Sequence, residues 1–116
     1  MIRNVKIEEK RISWTTNFYK KIVVNAVNKI VSSAYVNDML IFVEQDENDI
    51  CTLSIYSDNG ELLKTVTDNE ENQIGSIGTE MNNTKIYIVI FKKNEEPNCY
   101  YFNKNKNSFE KAHPLY

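Results

Sequence analysis

The sequence predicts an α+β fold, in which one amphipathic helix packs on an antiparallel meander sheet of five or six strands. Apolar residues recur at three- and four-residue spacing within 15–35, which is the spacing of one helix face. Residues 39–67 run through an apolar stretch, an acidic loop, an alternating stretch, a tight-turn signal and a second amphipathic stretch, and residues 85–93 are apolar on both faces. A chain of 116 residues is expected to form a single domain, 1–116.

Residues 1–14 carry a weak strand pattern. Val5 and Ile7 are expected to form an edge strand, and the charged residues 8–11 are expected to interrupt the chain after it.

Residues 15–35 form the predicted helix. Thr15 or Thr16 can cap its first turn, and Asn37 can end it in a left-handed conformation. Its many β-branched residues are poor helix formers, so two strands over 19–25 and 29–35 remain an alternative. The apolar stripe consists of Phe18, Ile22, Val23, Ala26, Val27, Ile30, Val31 and Ala34.

Residues 39–67 predict a run of antiparallel strands. The apolar run 39–43 is typical of a strand that is covered on both faces. Residues 51–56 alternate in polarity and precede Asn59-Gly60, which favours a type I′ hairpin turn, and Leu62–Thr67 is the returning strand.

The rest of the chain predicts further strands separated by turns. Gly75 and Gly78 weaken 74–80 as a strand, so its structure is left open. The remaining elements are a loop at 68–73, a central strand at 85–93, a turn at 94–97, strands at 99–103 and 108–112, a basic turn between them and a tail at 113–116.

An internal similarity supports an all-β alternative. Residues 39–64 and 86–111 both run through a strand, an acidic loop, a strand that begins near a cysteine, a turn and a strand. If 29–37 is a strand, the chain contains two blade-like four-stranded meanders of about 45 residues each, similar in layout to propeller blades. Two blades cannot close a ring, so this alternative requires self-association.

Charge is unevenly distributed along the chain. Residues 1–37 carry a net charge of +5, residues 38–84 carry −10, and residues 85–116 carry +3. Because alternate loops of a meander lie at the same end of its sheet, the loops at 44–49 and 68–73 are expected to meet. Glu95 and Glu96 join them if 74–80 is a strand, and the basic turn at 104–106 then lies at the opposite end. The predicted partner-binding residues are Asp46, Glu47, Asp49, Asp68, Glu70 and Glu71.

No motif for catalysis, a cofactor or a metal ion is recognisable. Cys51 and Cys99 fit no zinc or redox spacing, and the only histidine, His113, falls in the predicted tail. The acidic loop at 46–49 lacks the spacing of a calcium-binding EF-hand. No signal peptide or membrane-spanning segment is visible, so cytoplasmic residence is expected. We therefore expect no enzymatic activity and no cofactor.

Composition and charge favour a non-enzymatic protein-binding domain. Its acidic loops would engage a basic protein partner, as an inhibitor or a toxin-immunity protein does when carboxylates replace the phosphates bound by a basic toxin or nuclease. A structural subunit that self-associates through an exposed strand or an aromatic face is the alternative.

Nucleic-acid binding is the third hypothesis. An acidic centre repels phosphates, which makes this hypothesis weaker than the other two. The residues that interleave aromatic rings with lysines are Tyr100, Tyr101, Phe102, Lys104 and Lys106.

Overall fold

A computed structural model describes residues 1–17 and 19–114, and these form eleven strands in three antiparallel sheets with no helix among them. Sheet I consists of β1 (Arg3–Ile7), β2 (Arg11–Thr15) and β3 (Lys21–Asn25). Sheet II consists of β4 (Lys29–Tyr35), β5 (Met39–Gln45), β6 (Cys51–Ser57) and β7 (Leu62–Thr67). Sheet III consists of β8 (Asn72–Glu80), β9 (Lys85–Lys92), β10 (Asn98–Asn103) and β11 (Ser108–Pro114). Within this part of the chain, no helix is long and apolar enough to cross a membrane.

The predicted α+β fold is therefore wrong, and the all-β alternative fits. Residues 15–35 contain the end of β2, all of β3 and all of β4 rather than a helix. A spacing of four residues keeps side chains on one face of a strand as well as of a helix, so the apolar stripe did not distinguish the two. Within β3, Ile22 and Val24 are buried whereas Val23 is exposed, which is the period of a strand. Phe18 lies outside the described residues.

Two other segments also differ from the predictions. Residues 11–15 form β2, a second N-terminal strand that the pattern of residues 1–14 does not predict. Residues 74–80, which the two glycines left open, belong to the nine-residue strand β8. The predicted tail contributes His113 and Pro114 to β11, while Leu115 and Tyr116 are outside the described part of the chain.

The hairpin between β6 and β7 is present, but its turn is not the expected type I′. Of the two central residues, Gly60 has a positive φ of 87° and Asn59 does not. The amide N–H of Gly60 donates to the carbonyl of Ser57, and that of Ser57 donates to the carbonyl of Glu61. A left-handed glycine after a tight turn is the arrangement of the three-residue hairpin loop with a glycine bulge.

Strand β5 lies at the centre of the molecule, as the apolar run 39–43 predicts. Leu40 and Phe42 belong to the core between sheets I and II, whereas Ile41 and Val43 belong to the core between sheets II and III. All four are nearly or fully buried because each face of β5 is covered by another sheet. Sheet II is thus the middle layer of three.

The turn between β3 and β4 is fixed by a buried carboxylate. Oε1 of Glu44 accepts hydrogen bonds from the backbone N–H groups of Val27 (3.1 Å) and Asn28 (3.0 Å). Glu44 is 8 % exposed. The sequence predicts Glu44 in the acidic loop 44–49, but this residue lies in β5 and positions the connection from sheet I to sheet II.

The connectivity resembles that of propeller blades. Each sheet follows chain order, and its last strand leads directly into the first strand of the next sheet. The first strands of sheets II and III, β4 and β8, also pack against each other. The outer faces of sheets I and III have no covering layer among the described residues, and β1 has one unpaired edge.

Candidate functional site

The two acidic loops lie at one end of the sheet stack, which we call the acidic end (residues 46–50, 68–71 and 93–97). Asp68 joins the loops, because its backbone N–H donates to the carbonyl of Cys51 (2.9 Å) and its carboxylate accepts from the N–H of Cys51 (3.0 Å). The carbonyl of Glu71 accepts from the N–H of Lys93 (2.9 Å), which brings the β9–β10 turn to the same end. This turn carries Glu95 and Glu96, as the strand alternative for 74–80 predicts.

Two of the six predicted residues shape the loops. Oδ1 of Asp46 accepts from the N–H groups of Asn48 (2.8 Å) and Ile50 (3.0 Å). Oδ1 of Asp68 accepts from the N–H of Ile74 (2.8 Å), so this carboxylate links sheet II to the start of sheet III. Asp46 and Asp68 therefore hold backbone groups that would otherwise lack partners.

The other four predicted residues are exposed at this end. Within the described chain, the side chains of Glu47, Asp49, Glu70 and Glu71 make no hydrogen bond or ion pair. Asp49 and Glu70 border the same shallow depression. Glu47 lies apart from them, in a depression that it shares with the two basic residues Lys10 and Lys29.

The opposite end carries the basic turn between β10 and β11. Nζ of Lys104 is 3.6 Å from Oδ2 of Asp38 in the β4–β5 turn. The backbone N–H of Asp58 also donates to the carbonyl of Asp38, which places the β6–β7 hairpin at this end. The anionic loops and the basic turn thus lie at opposite ends.

Two of the three aromatic rings of the proposed nucleic-acid surface are buried. Tyr100 and Phe102 belong to the core between sheets II and III, so Tyr101 is the only one of the three aromatic residues of β10 that faces outward. Its hydroxyl donates to Oε2 of Glu80 at 3.1 Å. A platform of several exposed rings is therefore not formed by this strand.

A second group of polar side chains lies on the outer face of sheet III, and we call it the histidine cluster (Glu80, Cys99, Tyr101 and His113). Cys99 and His113 are direct cross-strand partners in β10 and β11. Nε2 of His113 lies 3.0 Å and 3.1 Å from the two carboxylate oxygens of Glu80. One ligand atom from each of Glu80, Cys99 and His113 lies within 4.8 Å of the other two.

The surroundings of the histidine cluster raise the pKa values of three of its members. The backbone carbonyl of Pro114 and then the Glu80 carboxylate raise the pKa of His113, since both stabilise the imidazolium. Burial, followed by the charge of Glu80, raises the pKa of the Cys99 thiol. Burial and the hydrogen bond to Glu80 raise the pKa of Tyr101. The Glu80 carboxylate therefore contributes to the raised pKa of His113, of Cys99 and of Tyr101.

The histidine cluster was missed because His113 was placed in a tail. Along the sequence, Cys99 and His113 lie at nearly equal distances from the turn at 104–107. A predicted last strand that extended beyond residue 112 would therefore have paired them. The sequence thus contained a signal for this pair. Glu80 carried no comparable signal, because it is 33 residues from His113 and reaches it from the far edge of the sheet.

A scan of protein-family models, a search of curated proteins and a search of solved structures found no match to this chain.

Proposed function

We propose that this chain is a non-enzymatic protein-binding domain that engages a basic protein partner through its acidic end. One observation carries the proposal: Glu47, Asp49, Glu70 and Glu71 are exposed at one end of the molecule, and their carboxylates make no hydrogen bond or ion pair within the described chain. Unpaired charges of one sign attract a partner of opposite charge and raise the rate of association.

The loops that carry these carboxylates are fixed before binding. Asp46 and Asp68 hold the loop backbones by hydrogen bonds of 2.8–3.0 Å. A surface that is already ordered loses less conformational entropy when it binds. These features suit an inhibitor or immunity protein that covers the phosphate-binding surface of a toxin or nuclease in the cytoplasm.

The test is affinity capture from cells of the source organism with three forms of the protein. The variant Glu70→Lys/Glu71→Lys reverses two charges at the acidic end. The control Asp38→Lys/Glu61→Lys makes the same change in net charge at the opposite end. We expect wild type and control to retain the same basic protein at low salt, and the first variant to lose it. A partner that all three forms retain equally, or capture of no basic protein, contradicts the proposal.

Self-association is the second candidate function, and the outer sheet faces favour it. Val23 on sheet I is 47 % exposed and Phe91 on sheet III is 42 % exposed. Both point away from the cores, since their neighbours Ile22 and Ile90 point inward. The basic residues near Val23 (Lys6, Arg11 and Lys21) complement the acidic residues on the outer face of sheet III (Glu80 and Glu110). Sheet I of one copy would then cover sheet III of the next.

Light scattering with two variants tests this head-to-tail contact. Val23→Lys blocks the face of sheet I, and Phe91→Lys blocks the face of sheet III. We expect each variant alone to be monomeric and an equimolar mixture to form a dimer, because each copy retains one of the two complementary faces. A monomeric wild type contradicts head-to-tail association, and so does a mixture that stays monomeric.

A further inference from the structure

We propose that Glu80, Cys99 and His113 form a binding site for a transition-metal ion of the zinc class. This site is independent of the acidic end, which lies on other loops. One oxygen, one sulfur and one nitrogen atom from these residues lie within 4.8 Å of one another. Ligands bound to one zinc ion at 2.0–2.3 Å are separated by about 3.3–3.8 Å, so modest side-chain movements would close the site.

The hydrogen bonds of His113 direct its Nε2 atom towards Glu80, a second member of the proposed ligand set. Nδ1 lies 2.8 Å from the carbonyl oxygen of Pro114. Because a carbonyl oxygen can only accept, Nδ1 must carry a proton and donate it. In the neutral ring, Nε2 then presents a lone pair to the Glu80 carboxylate at 3.0 Å. In this orientation, Nε2 is the ring nitrogen that would bind the metal ion, next to the Glu80 carboxylate.

The neighbouring groups hold the ligands as in known metal sites. A histidine that binds a metal usually donates its other ring N–H to a carbonyl or carboxylate, and Pro114 supplies that carbonyl. The hydroxyl of Tyr101 donates to Oε2 of Glu80, which leaves Oε1 available for the metal ion. Cys99 is fixed within β10 and is 3 % exposed. Each of the three proposed ligands is thus oriented by a group that is not itself a ligand: His113 by Pro114, Glu80 by Tyr101 and Cys99 by its strand.

The mixed ligand set selects the class of metal. A thiolate and an imidazole suit zinc and related borderline ions, whereas magnesium and calcium prefer oxygen ligands only. Three protein ligands leave one tetrahedral position open to water or to a further ligand. His113 has a side-chain exposure of 43 %, so the site is accessible from solvent.

Cobalt(II), a spectroscopic substitute for zinc, tests the site through its sulfur-to-metal charge-transfer absorption. The chain contains two free cysteines, and Cys51 is a matched control because it lies at the start of β6 in sheet II, in a different sheet from His113. We expect wild type and Cys51→Ser to bind one equivalent of cobalt(II) and to show the charge-transfer absorption. We expect Cys99→Ser to lack this absorption. Zinc should displace cobalt from both binding forms.

His113→Asn provides a second variant, because the exposed side chain can be replaced without a change in the core. We expect its affinity for zinc, measured by isothermal titration calorimetry, to fall about ten-fold or more. The proposal is overturned if wild type gives no thiolate absorption, if Cys99→Ser retains it, or if His113→Asn binds zinc as tightly as wild type. Each result distinguishes a metal ion from a simple proton between His113 and Glu80.

Discussion

The indole N–H of Trp14 donates a 2.7 Å hydrogen bond to the carbonyl oxygen of Asp58, 44 residues further along the chain. Trp14 is fully buried between sheets I and II, and Asp58 lies in the β6–β7 hairpin. We expect Trp14→Phe to lower the free energy of unfolding by about 2–4 kcal/mol, because it leaves a cavity and an unpaired carbonyl. Urea unfolding followed by circular dichroism measures the change.

Tyr19→Phe is the control for this substitution. Tyr19 is 82 % exposed, so its hydroxyl contributes little to packing. We expect a change in unfolding free energy within about 0.5 kcal/mol. Trp14 is the only tryptophan, so its fluorescence in the native protein should resist quenching by acrylamide. Equal destabilisation by the two variants, or ready quenching, would contradict the buried position of Trp14.

Removal of the Glu44 carboxylate should destabilise the connection from sheet I to sheet II. Glu44→Ala leaves the N–H groups of Val27 and Asn28 without their acceptor, and we expect a loss of about 2–4 kcal/mol in unfolding free energy. Glu44→Gln keeps an acceptor oxygen and should lose less. Glu47→Ala, at an exposed position without such bonds, should have almost no effect. A loss from Glu47→Ala as large as that from Glu44→Ala would refute this role.

Gly60 is required both by its backbone conformation and by the space around it. A Cβ atom at this position would lie 2.8 Å from Cγ2 of Ile22, and φ is 87°. We expect Gly60→Ala to lower the unfolding free energy by about 2 kcal/mol or more, from strain and overpacking together. Asn107→Ala replaces a residue type that tolerates the left-handed conformation by one that tolerates it less well, at an exposed position without a clash, and should cost about 1 kcal/mol or less. If Gly60→Ala and Asn107→Ala lower the unfolding free energy equally, the contact with Ile22 does not contribute to the loss.

Much of the sheet architecture could be predicted from local patterns, but the N-terminal third could not. The run 39–43 indicated a strand covered on both faces, and β5 has cores on both sides. The spacing around Ile22 and Ala26 was ambiguous because four residues satisfy the periods of a helix and of a strand alike. The β-branched composition favoured strands, and it proved the better guide than the apparent helical stripe.

The candidate sites differ in how far the sequence could indicate them. Alternate loops of a meander lie at the same end of the sheet, and this rule was enough to place Asp49 and Glu70 at one end. Their role in binding stays a prediction.

Asp46 binds the backbone N–H groups of Asn48 and Ile50, only two and four residues further along the chain, so this local pattern was available in the sequence. The role of Asp68 could not be predicted, because it binds the N–H of Cys51, 17 residues earlier, which only the folded chain brings near. The histidine cluster depends on strand register, which is set by the length of β11.

Arg11 should lower the pKa of Glu8 at the surface of sheet I. Nη2 of Arg11 lies 2.9 Å from Oε1 of Glu8, and the guanidinium favours the charged carboxylate. A depressed pKa in the folded state contributes stability that is present above the unfolded pKa and is lost as the pH falls through the folded value. Arg11→Gln should therefore destabilise the protein slightly at neutral pH and have no effect at a pH where Glu8 is protonated. Urea unfolding at both pH values measures this difference, and carboxyl NMR of Glu8 should show a higher midpoint in the variant. An unchanged midpoint would show that the ion pair is absent in solution.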